Sequence, residues 1–152
     1  MALLNYSTTI PASKTAAEIQ RILARNGTRQ ILTEFDDQQR ISAVLFRIDG
    51  PGGEALSFRL PVDTGATYKV LLKQYNNGEV PRRYADEEHA RRVAWRIIKD
   101  WLQAQMALLE TEMVKMEEIF LPYLIVGKDK KTLYQAMKEN QFLLPSGESF
   151  TG

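Results

Sequence analysis

The chain has no cysteine and only one histidine, and these two scarcities remove much of the chemistry that a protein of 152 residues can carry. Without thiols there is no disulfide framework and no thiolate nucleophile, which fits a reducing compartment. Zinc is expected nowhere, because His89 stands alone among the nitrogen and sulfur donors that hold this ion. A Ser-His-Asp triad would have to use the same His89, and no serine sits in a G-x-S-x-G elbow; Ser146, in Pro145-Ser146-Gly147, lies in a tail. His89 itself is expected to be an exposed residue in the first turn of a helix. The chain also lacks 18 apolar residues in a row and an N-terminal basic region followed by an apolar run, so neither a membrane span nor a signal peptide is expected. Cytoplasmic localisation is the corresponding expectation. Net charge is only +1, so no global field draws in nucleic acid or an anionic membrane, and such contacts have to come from a local patch.

Carboxylates are plentiful but do not converge. Glu110 and Glu117 fall on one side of a helix while Glu112 and Glu118 fall elsewhere, which describes a charged face better than an acid/base pair or a metal site. Asp36-Asp37 sit where a hairpin turn favours Asx residues. Asp49-Gly50-Pro51-Gly52-Gly53 is glycine-rich but is followed by a strand pattern, whereas a phosphate-cradling loop leads into a helix. Neither catalytic residues, nor a metal, nor a cofactor are expected.

What is present is an ordinary globular composition, 44% apolar and 26% charged, enough for one domain with its own core. Residues 5–10 read as a short edge strand. After Pro11, Ala16, Ile19, Ile22 and Leu23 make the apolar stripe of a helix that stops at Asn26-Gly27. Three strands are expected at 29–35, 41–48 and 54–60, joined by hairpin-sized turns, so the sheet is antiparallel. Alternation places Val44, Phe46 and Ile48 on one face with Leu56, Phe58 and Leu60, the core side. A short helix follows at 64–75 and a loop at 76–85. Residues 86–123 are the long amphipathic segment, and 132–139 a short helix before a frayed tail. The fold class is therefore α+β, a single domain over 1–152: helix plus antiparallel sheet in 1–75, loop in 76–85, long helix and tail in 86–152.

The long segment carries most of the information. Ala94, Ile98, Leu102, Met106, Leu109, Met113, Met116 and Phe120 recur at helical spacing, Asp86 is a good N-cap and Pro122 ends the run. As one rod at about 1.5 Å per residue it would exceed roughly 50 Å, longer than the diameter of about 40 Å for a compact domain of this size. Either it breaks near 109–112 or its far end projects and requires company. A basic first half and an acidic second half favour the second option, two copies lying antiparallel. Met106, Leu109, Met113, Met116 and Phe120 are then the interface of a homodimer or larger homo-oligomer.

Cations cluster beside this segment. Arg82, Arg83, Arg91, Arg92, Arg96 and Lys99 fall within 18 residues, with Tyr84 and Trp95 among them. Arg91, Trp95 and Lys99 share one helical face, an arrangement able to stack a base and meet phosphates, and Arg47 and Arg59 can add to it from the polar face of the sheet.

The stretch from Val93-Ala94-Trp95-Arg96-Ile97-Ile98-Lys99-Asp100-Trp101-Leu102 to Phe120-Leu121-Pro122-Tyr123 resembles small uncharacterised proteins encoded by bacteriophages and prophages of Gram-positive hosts. Asn5-Tyr6-Ser7-Thr8-Thr9-Ile10-Pro11 and Leu144-Pro145-Ser146-Gly147 are similar too, so the likeness covers nearly the whole chain. It implies a small protein acting in the cytoplasm of an infected cell and carries over no catalytic residues. Together these readings predict a non-enzymatic binding protein that engages or inhibits a nucleic-acid-handling complex of the host, of the anti-CRISPR or other anti-defence type. The alternatives are a direct DNA- or RNA-binding accessory protein and a nucleotide-binding or nucleotide-sequestering protein.

Overall fold

The computed structural model describes residues 1–142; the expected tail, with Ser146, lies outside them. β1 (Gln30–Phe35), β2 (Ile41–Asp49) and β3 (Ala55–Arg59) form an antiparallel meander in the order β1-β2-β3, the hairpin topology that the short polar turns dictate. Phe46 stands opposite Ile31 on β1 and Phe58 on β3, so one face of the sheet collects large apolar side chains. On that face α1 (Ala12–Arg25) contributes Ala16, Ile19 and Leu23, and α3 (Glu87–Glu110) contributes Trp95, Leu102 and Met106. The two helices lie side by side. Asp63 accepts from Ala66 N at 2.9 Å to open α2 (Thr64–Asn76), which docks Leu71 against Ala90 and Val93 on another flank of α3. This is an α+β fold, with helices on one side of the main sheet.

The long segment is not one rod. Asp86 caps α3 as its sequence suggests, accepting from His89 N at 3.1 Å, but the helix ends at Glu110 and a turn follows in which Glu112 adopts φ +63°. Twenty-four residues at about 1.5 Å each give roughly 36 Å, which fits within the domain. α4 (Met116–Phe120) then folds back. Phe120 is wholly buried, its ring centroid 5.0 Å from Phe46, 5.9 Å from Phe58 and 5.7 Å from Trp101. Met106, Met116 and Phe120 therefore belong to the chain's own core and Leu109 packs against it, which corrects their assignment to an oligomer seam. Burying a phenylalanine contributes about 1.5–3 kcal/mol, and the reversal at 111–115 obtains this from the sheet of the same chain. Of the five, only Met113 is largely exposed, at 69%.

Two further differences are local. The segment before Pro11 forms no strand: Tyr6 N donates to Leu3 O and Thr8 N to Asn5 O, both at 3.0 Å, and Asn5 takes φ +63°, so the chain turns there. Beyond the 3-10 turn Leu121–Tyr123, a two-residue hairpin absent from the sequence reading pairs β4 (Ile125–Val126) with β5 (Lys131–Thr132). A bridge between Phe58 and Leu124 attaches it to β3. Thr132 and Gln135 form a capping box for α5 (Leu133–Glu139).

The folded-back arrangement separates two residues that the helical spacing treats alike. Phe120→Ala should lower the unfolding free energy by about 3–5 kcal/mol, whereas Met113→Ala should change it by less than about 0.5 kcal/mol, both read from urea denaturation midpoints. Comparable small effects at both positions would contradict the reversal.

Candidate anion-binding surface

The cations singled out along α3 divide by face. Trp95, central to the expected ridge, is 0% exposed within the core, and its indole Nε1 has no hydrogen-bond partner among the described residues. It is no stacking platform. The indole is a large apolar surface and is drawn inward with the stripe it shares with Leu102. Arg91 is 11% exposed and points to the β1–β2 turn, where Nη1 donates to Ile41 O at 2.6 Å and Nη2 lies 3.4 Å from Asp36 Oδ2. It fastens the hairpin to α3, and on that turn Asp36 also accepts from Gln38 N and Arg40 N at 2.9 Å each. The hydrogen bond from the Arg40 amide, against some opposing desolvation, holds the Asp36 carboxyl below the usual aspartate range. Arg82 and Arg83 are exposed in the 3-10 turn Arg82–Tyr84, with the Arg83 guanidinium 4.7 Å above the Tyr84 ring.

His89 is buried rather than exposed. Its Nε2 meets the Tyr6 carbonyl and its ring lies 4.8 Å from that of Tyr84, so the turn at the N-terminal segment covers it. Arg47 and Arg59 lie on the other face of the sheet, beside Gln30 and Glu34, and do not join the α3 cations.

Arg96 and Lys99 come together with residues that the sequence reading passed over. α1 runs parallel to α3, and between them opens a shallow groove of about 210 Å³ lined by Glu18, Arg21, Ile22 and Arg25 of α1 and Arg96, Lys99 and Gln103 of α3. Arg96 Nη1 is 2.7 Å from Glu18 Oε2 and 3.4 Å from Thr15 Oγ1, and Lys99 Nζ is 3.9 Å from Asp100 Oδ1. Arg21 and Arg25 are exposed and form no ion pair among the described residues, and neither does Arg92, one turn before Arg96. Four cations thus line the groove against one lining carboxylate, with Asp100 at its margin. The signal for Arg21 and Arg25 was their spacing of four on the face of α1 away from Ala16, Ile19 and Leu23. Among the described residues no three His, Asp or Glu side chains cluster in a way that could hold a metal ion, and no helix is long and apolar enough to cross a membrane.

Because the folded Asp36 carboxyl titrates below its unfolded value of about 3.9, it stabilises the fold at all pH above that value, and the stabilisation disappears as pH falls through the folded pKa. Carboxyl carbon NMR should therefore place the Asp36 midpoint below about 3.9. Asp36→Asn should lower the thermal midpoint at neutral pH, with the deficit shrinking in strong acid; a deficit independent of pH would rule out the charged interaction. No protein-family model, curated protein or solved structure matches this chain.

Proposed function

We propose that this chain is a non-enzymatic binding protein that takes a nucleic-acid backbone along the groove between α1 and α3. The observation that carries this reading is the convergence of Arg21, Arg25, Arg96 and Lys99 from two rigid helices on one groove, where Glu18 meets Arg96 and Asp100 lies beside Lys99 but Arg21 and Arg25 have no ion pair among the described residues. Phosphate contacts need cations at the surface and little else, whereas base recognition needs exposed stacking or edge-reading groups; with Trp95 sealed away, the groove favours backbone contact without sequence preference. Gln103 adds a neutral donor at one end. Arg92 extends the row by one helical turn. Helices are a better platform for such contacts than loops, because the spacing of the charges is fixed before binding.

The phage-type reading, in which the protein occludes a nucleic-acid-handling complex of a host cell, is supported by the resemblance described above and uses the same surface, since such complexes expose nucleic-acid backbone.

Fluorescence anisotropy with labelled single- and double-stranded oligonucleotides over a salt series tests the proposal. Affinity should fall in the micromolar range typical of non-specific binding, with a log–log salt slope of about −2 to −4 for two to four phosphate contacts. Replacing Arg21 and Arg25 together by Ala should reduce that slope by about 2, while Lys128→Ala should leave it unchanged. Absence of salt-dependent binding to either oligonucleotide would overturn backbone contact; salt-insensitive capture of a defined host nuclease complex would move the target from nucleic acid to protein.

A further inference from the structure

We propose that the free edge of β1 pairs antiparallel with β1 of a second copy about a two-fold axis at Leu32, joining two three-stranded sheets into one of six strands. Among the described residues β1 is an outer strand, paired only with β2. Edge strands are commonly blunted by lysine, proline or bulges. β1 contains neither residue, its register shift falls at its far end between Glu34 and Phe35, and it exposes two large apolar side chains, Leu32 at 53% and Phe35 at 63%.

The register follows from the hydrogen-bonding pattern. Leu60 N donates to Val44 O at 3.0 Å, so strict alternation turns the main-chain groups of Val44 and Phe46 towards β3 and those of Ala43 and Leu45 towards β1. Their partners Glu34 and Leu32 therefore bond inward, leaving Ile31 and Thr33, and Phe35 at the strand's end, to direct their N–H and C=O groups to the open edge. In a two-fold pair, residues facing each other must lie on the same face of the sheet, which allows only registers that keep odd residues opposite odd ones. Among these, the register with Leu32 on the axis sets Ile31 against Thr33 of the second copy, and Thr33 against its Ile31. All the edge groups of both residues are then satisfied.

The side chains agree with that register. Across the outer face, Leu45 stands beside Leu32, Arg47 beside Gln30 and Ala43 beside Glu34. Pairing at Leu32 makes a central apolar row of Leu45, Leu32 and their two counterparts. On either side of it, Glu34 of one copy, already met by its own Arg59 at 2.9 Å and Lys130 at 3.8 Å, faces Gln30 of the other, next to Arg47, whose buried Nε has no partner among the described residues. The carboxylate is thus placed on the amide and guanidinium side of the neighbouring strand, twice by symmetry. Under the sheet, the flank of α1 beside this edge offers Ser13, Ala17 and Gln20 rather than charges, so a second copy brings no like-charge contact there. The charged flank, with Arg21 and Arg25, faces the α3 groove and stays open.

An edge of this length buries less than the standard protein interface of about 1,600 Å², so the dimer should depend on concentration. Because the chain has no native cysteine, single-cysteine variants read the register directly. In the proposed pair, Leu32 faces its own copy as a non-hydrogen-bonded pair with Cα atoms about 4.5 Å apart, within disulfide range, while the two Gln30 positions are displaced by four residues, about 13 Å. Mild oxidation of concentrated protein should link Leu32→Cys into a dimer on a non-reducing gel and leave Gln30→Cys monomeric. Sedimentation of the unmodified full chain should show a dimer that dissociates on dilution and is lost in Leu32→Lys, with circular dichroism confirming that the variants are folded. Equal linkage at both positions, linkage at neither, a monomer at the highest concentration, or a dimer that survives Leu32→Lys would each overturn the proposal.

Discussion

The ring cluster of Phe46, Phe58, Trp101 and Phe120 is the contact on which the rest of the arrangement depends. Phe46 and Phe58 stack at 5.4 Å across neighbouring strands, and Phe120 stands edge-on to both Phe46 and Trp101. Strand, strand, helix and returning segment meet at that one point. Removing any ring would leave a void in a core packed at crystal-like density. The reversal after Glu110 is the consequence: a continuous helix would carry Phe120 away from Trp101, while a turn of five residues brings it back to the sheet. Tyr123 also packs edge-on against Trp101, with centroids 5.8 Å apart, and Leu124 then bridges to Phe58 to set the β4–β5 hairpin beside β3.

Much of this was legible in the sequence, and what was not has specific causes. Alternation at Val44, Phe46 and Ile48, the helical stripe at Ala16, Ile19 and Leu23, and the Asp86 cap are local signals that tertiary packing reinforces, so the sheet and helices lie close to where periodicity placed them. A break near 109–112 was one of two options the length allowed, and the projecting rod was preferred over it because Met106, Leu109, Met113, Met116 and Phe120 keep helical spacing across the break. Spacing states which residues seek burial together and is silent on whether the partner is another molecule or another part of the same chain. The β4–β5 hairpin was hidden for the opposite reason, since two-residue strands are too short to show a period.

The cations teach a related lesson. A run of arginines on one helix reads as a surface for anions, yet helix geometry distributes consecutive residues around the axis, and packing decides which of them remain available. Arg91 is occupied in fastening the hairpin turn, and Arg96 is joined to Glu18 on α1. The available charge comes instead from pairing two helices whose sequence positions are some seventy residues apart. A surface built across a tertiary contact has no linear motif.

The N-terminal segment has no regular structure, but long-range contacts hold it in place. Leu3 N donates to Gln74 Oε1 at 3.0 Å, Gln74 Nε2 donates to Met1 O at 3.0 Å, and Asn5 Nδ2 reaches Asp100 Oδ2 at 2.8 Å. Every partner lies far along the chain, so this segment has nothing to bind until α2 and α3 exist. The most distant of them, Asp100, follows Asn5 by 95 residues. The segment thus closes over His89 and Tyr84 through contacts of long sequence separation, the kind whose loop-closure entropy must be met before they form.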